Sequence, residues 1–215
     1  MERSRKVFAF IDKANLHRTT VDLLGFKIDW GKLSAYLTST KRPWKCEKVY
    51  IFAGVPEYDV GRITAKHTRE GYEAHIRGSK LQQGKTIECG YTCEECEKVG
   101  THSVAIRGAI KSNCDVDLTV EAMQCIGDAS EFLLFTGDGD FEALIVHAMN
   151  TDIRVRIISN TRRDANGRKR FSTRLQDLLD AEIATGRKRA SFIDINDWRK
   201  AIEKEEPPSS VAVPE

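Results

Sequence analysis

Val7-Phe8-Ala9-Phe10-Ile11 is an unbroken apolar run that stops at Asp12. A strand with one wet face alternates apolar and polar residues. A strand without alternation is covered on both faces, as in a parallel sheet between two helical layers. Lys48–Ala53 and Glu131–Phe135 read the same way, as second and fourth strands. Tyr72–Arg77 supplies a third strand and Ile153–Ile158 a fifth, which alternates only in its first half. Helical segments lie between them at 14–24, 59–70, 115–126, 141–149 and 172–184, and another, with Leu33, Tyr36 and Leu37 on one face, can be capped by Asp29. In the 115–126 segment, Val116, Val120 and Met123 fall in register, with Leu118 beside them. Strands alternating with helices imply an α/β fold with a mainly parallel sheet flanked by helices on both faces.

A chain of 215 residues can hold one domain with a short appendage. The domain is expected over 1–185, interrupted at 79–104 by an insertion with three glycines, three cysteines and little apolar periodicity. Residues 186–206 form a C-terminal helical extension with Ile195, Trp198 and Ile202 on one side, and Phe192-Ile193 fits a short edge strand. Residues 207–215, opening Pro207-Pro208-Ser209-Ser210, are expected to be a disordered tail. No stretch approaches the roughly 18 apolar residues of a membrane span, so no membrane partner is expected. The N-terminus is charged and lacks a secretory apolar core, which gives a cytoplasmic protein as the expectation.

The net charge of +2 is too small to select a partner, but its distribution is uneven: Arg154–Arg174 holds eight basic residues and one acid, Asp164. A solvated loop and a phosphate-contacting surface explain this equally well from charge alone. For phosphate contact the best-placed residues are Arg162, Arg163, Lys169 and Arg170.

Three acidic segments share one placement. Asp12 ends the first strand, and Asp138 and Asp140 follow the fourth within Thr136-Gly137-Asp138-Gly139-Asp140. Open parallel sheets build their sites at the carboxyl ends of strands, so Asp12 and Asp138 meet at one edge. Asp115 and Asp117 open the helix leading into the fourth strand, at the same edge. Carboxylates gathered in one cleft repel each other unless a hard cation such as Mg²⁺ or Mn²⁺ neutralises them. Helix capping accounts for Asp115 or Asp138 singly, but less well for two aspartates around one glycine. Asn15, three residues after Asp12, can cap the first helix or present an amide to water or phosphate.

Phe10-Ile11-Asp12-Lys13-Ala14-Asn15-Leu16, Cys114-Asp115-Val116-Asp117-Leu118-Thr119-Val120-Glu121 and Leu134-Phe135-Thr136-Gly137-Asp138-Gly139-Asp140-Phe141 resemble, in order, the three acidic motifs of NYN domains. These form part of the LabA-like branch of the PIN-like nuclease superfamily. The resemblance runs over roughly 6–180. It implies a PIN-like sheet, a divalent metal and ribonuclease activity. By the same resemblance, Asp12, Asp115, Asp138 and Asp140 would be metal ligands and Asn15 an active-site polar residue. The chain departs from the pattern at Lys13, where the family often has glycine, and in the cysteine-containing insertion. Lys13 could contact phosphate or weaken cation binding.

Cys89, Cys93, Cys96 and His102 could supply four ligands to one structural Zn²⁺, although only one Cys-x2-Cys pair is present. Reduced thiols in a loop are the plain alternative, and Cys114 is an alternative fourth ligand. Cys46, Cys114 and Cys125 sit in apolar surroundings and are expected in the core.

Together these features lead to a Mg²⁺- or Mn²⁺-dependent endoribonuclease acting on RNA, with single-stranded RNA the better fit to a shallow acidic cleft. One rival is a non-catalytic RNA-binding module of the same fold. Another, a phosphotransferase with Asp12 as nucleophile, lacks the second acid two residues later that such enzymes usually carry. Oligomeric state is left open, a homodimer included.

Overall fold

A computed structural model describes residues 6–42, 44–79, 85–92, 96, 98–106 and 114–205. The strands are β1 (Val7–Asp12), β2 (Cys46–Pro56), β3 (Glu73–Ser79), β4 (Lys85–Thr92), β5 (Val99–Ile106), β6 (Glu131–Phe135), β7 (Arg154–Ser159) and β8 (Ala190–Asp194). The helices are α1 (Lys13–His17), α2 (Trp30–Thr38), α3 (Val60–Arg69), α4 (Cys114–Gln124), α5 (Glu142–Asn150), α6 (Thr173–Thr185) and α7 (Arg199–Ile202). α1 runs on into a π-helical segment at Arg18–Leu23, and short 3-10 turns precede α3, α5 and α7.

Six strands form one parallel sheet in the order β3-β2-β1-β6-β7-β8. From β1 the chain steps out through β2 to β3. It returns to the other side of β1 as β6, then steps out through β7 to β8. The order therefore reverses between β1 and β6, at the centre of the sheet. The loops leaving two neighbouring strands diverge there and open a crevice at their carboxyl ends. Separately, β4 and β5 pair as an antiparallel hairpin.

The unalternating strands are explained by two cores. On one face Phe8, Phe10, Phe132 and Leu134 pack with Leu118 of α4, Ile145 of α5 and Leu175 of α6. On the other, Val7, Ala9, Ile11, Leu133 and Phe135 pack with Leu16 of α1, Leu33 and Leu37 of α2, and Ile202 of α7. Phe10 stacks on Tyr50 at 5.1 Å and meets Phe132 edge-on at 4.9 Å, which fixes the register of the central strands.

α4 differs from its sequence reading. Cys114, Leu118, Ala122 and Cys125 face the core, whereas Val116, Val120 and Met123 are exposed. Both stripes have helical spacing, and the one centred on fully buried Leu118 packs against Phe8, Phe10 and Phe132. The C-terminal residues are built into the same body: β8 pairs with β7, and Ile195, Trp198 and Ile202 are buried. Among the described residues no helix is long and apolar enough to cross a membrane.

Candidate functional site

The site lies where β1 and β6 end. Asp12 is the last residue of β1 and the N-cap of α1; its Oδ1 accepts a hydrogen bond from the Asn15 backbone N–H at 3.1 Å. The side chain is otherwise enclosed, at 8% exposure. Burial pushes its carboxyl up to about 6; the Asn15 bond opposes this, and the nearby charges of Asp115 and Asp138 push the same way as burial.

β6 leads into Thr136-Gly137-Asp138-Gly139-Asp140, and three features hold that turn. The Gly137 N–H donates to the Asn15 side-chain oxygen at 2.9 Å, which ties α1 to the loop after β6. The Asp138 N–H donates to Thr136 Oγ1, and the Asp140 N–H to Asp138 Oδ1, each at 3.1 Å. Gly137 also lies against the segment before α6: its carbonyl accepts from the Ser172 N–H at 2.9 Å, and a Cβ there would come within 2.8 Å of Ser159 Oγ. A Cβ on Gly139 would strike Ser172. These glycines permit close backbone approach, a role their placement beside aspartates did not reveal.

Asp115 stands in the first turn of α4, with its carboxyl held above the ordinary range by desolvation first and then by Asp138 and Asp140. Asp140 is exposed, 4.0 Å from the Arg174 guanidinium. The four aspartates thus share one electrostatic neighbourhood. Among the described residues, however, no group of three or more His, Cys, Asp or Glu side chains stands close enough to hold a metal ion. The donor chemistry, all carboxylate oxygen with the innermost acid desolvated and opposed by like charges, suits a hard divalent cation. Asp117 points elsewhere and binds Arg77, whose Nη2 donates to Oδ1 at 2.6 Å. Glu121 lies 3.9 Å from His75.

Beside the acids is an open cleft of about 400 Å³, lined on its basic side by Arg18, Lys169, Arg170 and Arg174. Of the basic residues singled out from the sequence, Lys169 and Arg170 line it, and Arg162 and Arg163 do not. Arg163 folds back on its own loop and donates to the Gly167 carbonyl at 2.7 Å. Arg174 closes the basic stretch read from the sequence without being singled out in it, and Arg18 was missed. Arg18 had a readable signal, being three residues after Asn15 and so on the same helical face.

Lys13 is turned away from the cleft. Its ammonium lies 2.9 Å from His67 Nε2 and 5.5 Å from the centre of the Trp30 ring, and His67 Nδ1 lies 2.9 Å from Glu70 Oε2. An ammonium can only donate, so Nε2 is the acceptor and Nδ1 carries the proton given to Glu70. His67 is fully buried, and burial, then Lys13 and Lys66, lower its imidazole to about 4.

On the β4–β5 hairpin Cys89 and His102 are directly paired across the strands, and Cys96 is exposed in the connection. Cys93 lies outside the described residues. Cys114, the alternative ligand, is buried against the sheet.

Comparison with known proteins adds the following. The NYN domain family model matches residues 6–183. The crystal structure of a protein of unknown function from Vibrio parahaemolyticus RIMD 2210633 aligns with a TM-score of 0.60 at 16% identity, over 95% of this chain and 99% of that one, a likeness of fold. Sir2Tm bound to a propionylated peptide aligns at a TM-score of 0.32 and 13% identity, over 87% of this chain and 95% of that one, too distant to support an argument. No curated protein matches the chain.

Proposed function

From the premise that this chain belongs to the NYN domain family, part of the PIN-like nuclease superfamily, we propose that it is a divalent-metal-dependent endoribonuclease acting on single-stranded RNA. The observation that carries the reading is Asp12: a buried carboxylate at the point where the strand order reverses, raised to about 6 and facing the further negative charge of Asp115 and Asp138. A fold does not hold uncompensated carboxylates together without cost. Their use here is to hold Mg²⁺ or Mn²⁺, with Asp12, Asp115, Asp138 and Asp140 as the ligands. Bound there, such an ion lowers the pKa of a water and offsets charge on the phosphodiester.

The chain's own residues do the positioning. Asp12 is held by the start of α1, and Asn15 grips the backbone of Gly137 so that Asp138 stands next to Asp12. The reaction adds a water oxygen to phosphorus, breaks one P–O ester bond, and leaves a proton on the departing oxygen. Arg18 opposes the accumulated negative charge at both Asp12 and Asp115.

The test is incubation of labelled RNA with Mg²⁺ or Mn²⁺, comparing the wild type with Asp138→Asn. Cutting by the wild type should fall in the variant by more than the ~10–100-fold typical of residues that only orient a ligand. Equal cutting by both would mark a contaminant and overturn the assignment. The second reading is an RNA-binding module of the same fold that does not cut. RNA binding without cutting under either metal would select it. A matched DNA strand in the same assay decides between RNA and DNA.

A further inference from the structure

The cleft beside the acids has an unusual composition for a site that would read a nucleic acid. Its basic wall comes from three elements: Arg18 follows α1, Lys169 and Arg170 lie in the loop between β7 and α6, and Arg174 is in the first turn of α6. Opposite them are Asp138 and Asp140. Four cations and two carboxylates line the cleft, with Asp12 and Asp115 in the same electrostatic neighbourhood, so the basic wall faces an acidic one. Arg170 is partly engaged by Asp22 at 3.5 Å, and Arg174 by Asp140 at 4.0 Å; both pairs are exposed and long, so a phosphate can displace them at little cost.

What the cleft lacks is as informative as what it holds. Among the described residues no aromatic side chain lines it, so no platform is offered on which a base can stack. Asn15, the carboxamide among the described lining residues, is tied to the turn through its oxygen, which accepts the Gly137 N–H. Guanidinium forks match the geometry of phosphate oxygens.

We infer that this cleft recognises its strand by the phosphodiester backbone alone, with Arg18, Lys169, Arg170 and Arg174 clamping consecutive phosphates while the bases stay outside, so that sequence does not select the cut. The inference rests on the reading of a polynucleotide substrate but not on cutting. The four cations form one wall of the cleft, and that wall attracts phosphates whether or not the acids opposite hold a metal.

The test measures binding of short fluorescent homopolymers of uridine, adenosine and cytidine, and of a uridine strand carrying guanosines, the base that arginine forks can read, to the full chain, with no added divalent metal, across a range of salt concentrations. Affinities should agree within about threefold. The logarithm of Kd should rise with the logarithm of salt at roughly 0.7 per phosphate neutralised, about two to three in all. Arg170→Ala and Arg174→Ala should each lower that slope by about 0.7 and weaken every homopolymer alike, while Arg174→Lys keeps the charge and the slope. A tenfold preference for one of these strands, or slopes unchanged in both alanine variants, overturns the inference. Failure of the nuclease reading is separate. Salt-dependent, base-blind binding without cutting leaves the clamp intact, whereas cutting with a fixed base at the new ends removes the clamp and leaves the nuclease.

Discussion

Asn15 shows how one residue serves both fold and site. Position alone left it between capping a helix and presenting an amide; in the structure its oxygen instead accepts the N–H of buried Gly137, 122 residues away. Removing the acceptor leaves a buried donor unpaired, at about 1–3 kcal/mol. It also releases the turn that carries Asp138. Asn15→Ala is therefore expected to lower the melting temperature and to raise the Mn²⁺ concentration needed for half-maximal cutting. Asn15→Asp keeps the acceptor but adds a carboxylate beside Asp12 and Asp138, so its melting temperature should recover only when Mn²⁺ is present. An alanine variant that melts earlier but keeps the wild-type Mn²⁺ requirement would confine the residue to a structural role. The aspartates were legible because each ends a strand or opens a helix, and strand order brings such positions together. The packing role of Gly137 was not, because it depends on which segments lie against the turn, and no local pattern records that; Arg18 was passed over although its spacing from Asn15 placed it on the same face.

Elements were read with uneven success, for physical reasons. β1, β2 and β6 were plain because burial on both faces demands an apolar run. The β4–β5 hairpin was missed as strands, since Lys85–Thr92 and Val99–Ile106 carry glycine, cysteine and lysine without clean alternation. Lys13 had been a candidate for phosphate contact, yet its ammonium joins the start of α1 to His67 and Glu70 of α3 and its C-cap. That link has a pH signature. His67 is lowered to about 4 in the folded protein, against an ordinary value near 6.5, so between those limits the unfolded chain binds a proton that the folded chain refuses. Stability is thus full above about 6.5 and falls as the pH drops toward 4, by about 3 kcal/mol from this group. Glu70, raised chiefly by its own burial, acts in the opposite sense, so the comparison must be with a variant that keeps it. Urea unfolding of His67→Gln should show a flatter pH profile than the wild type between 6.5 and 4. Parallel profiles would show that His67 does not remain neutral.

At the scale of the whole molecule, the question is whether the segment after α6 is an appendage. The family model stops at residue 183, and the sequence had suggested a helical extension over 186–206. Yet β8 is the edge strand of the main sheet, and its backbone pairs with β7 from Val155↔Ala190 to Ser159↔Asp194. Asp194 accepts two hydrogen bonds, at 2.8 and 3.0 Å, from the side-chain amide of fully buried Asn160, the residue that opens the loop bearing Lys169 and Arg170. Ile195, Trp198 and Ile202 sit in the second core, where Trp198 lies 5.9 Å from Phe135 and 5.0 Å from Tyr36. Large buried side chains are worth roughly 2–5 kcal/mol each, so these three together match the roughly 5–15 kcal/mol by which a typical domain is stable at all. A chain ending at Gly186 is therefore expected to lose cooperative thermal unfolding and its near-ultraviolet dichroism. It should lose cutting with them, because the loop that faces the acids loses its anchor at Asn160. A truncated chain that melts cooperatively within a few degrees of the full one would show that the sheet closes without β8, and that the last part of the chain is a separable addition to a domain already complete.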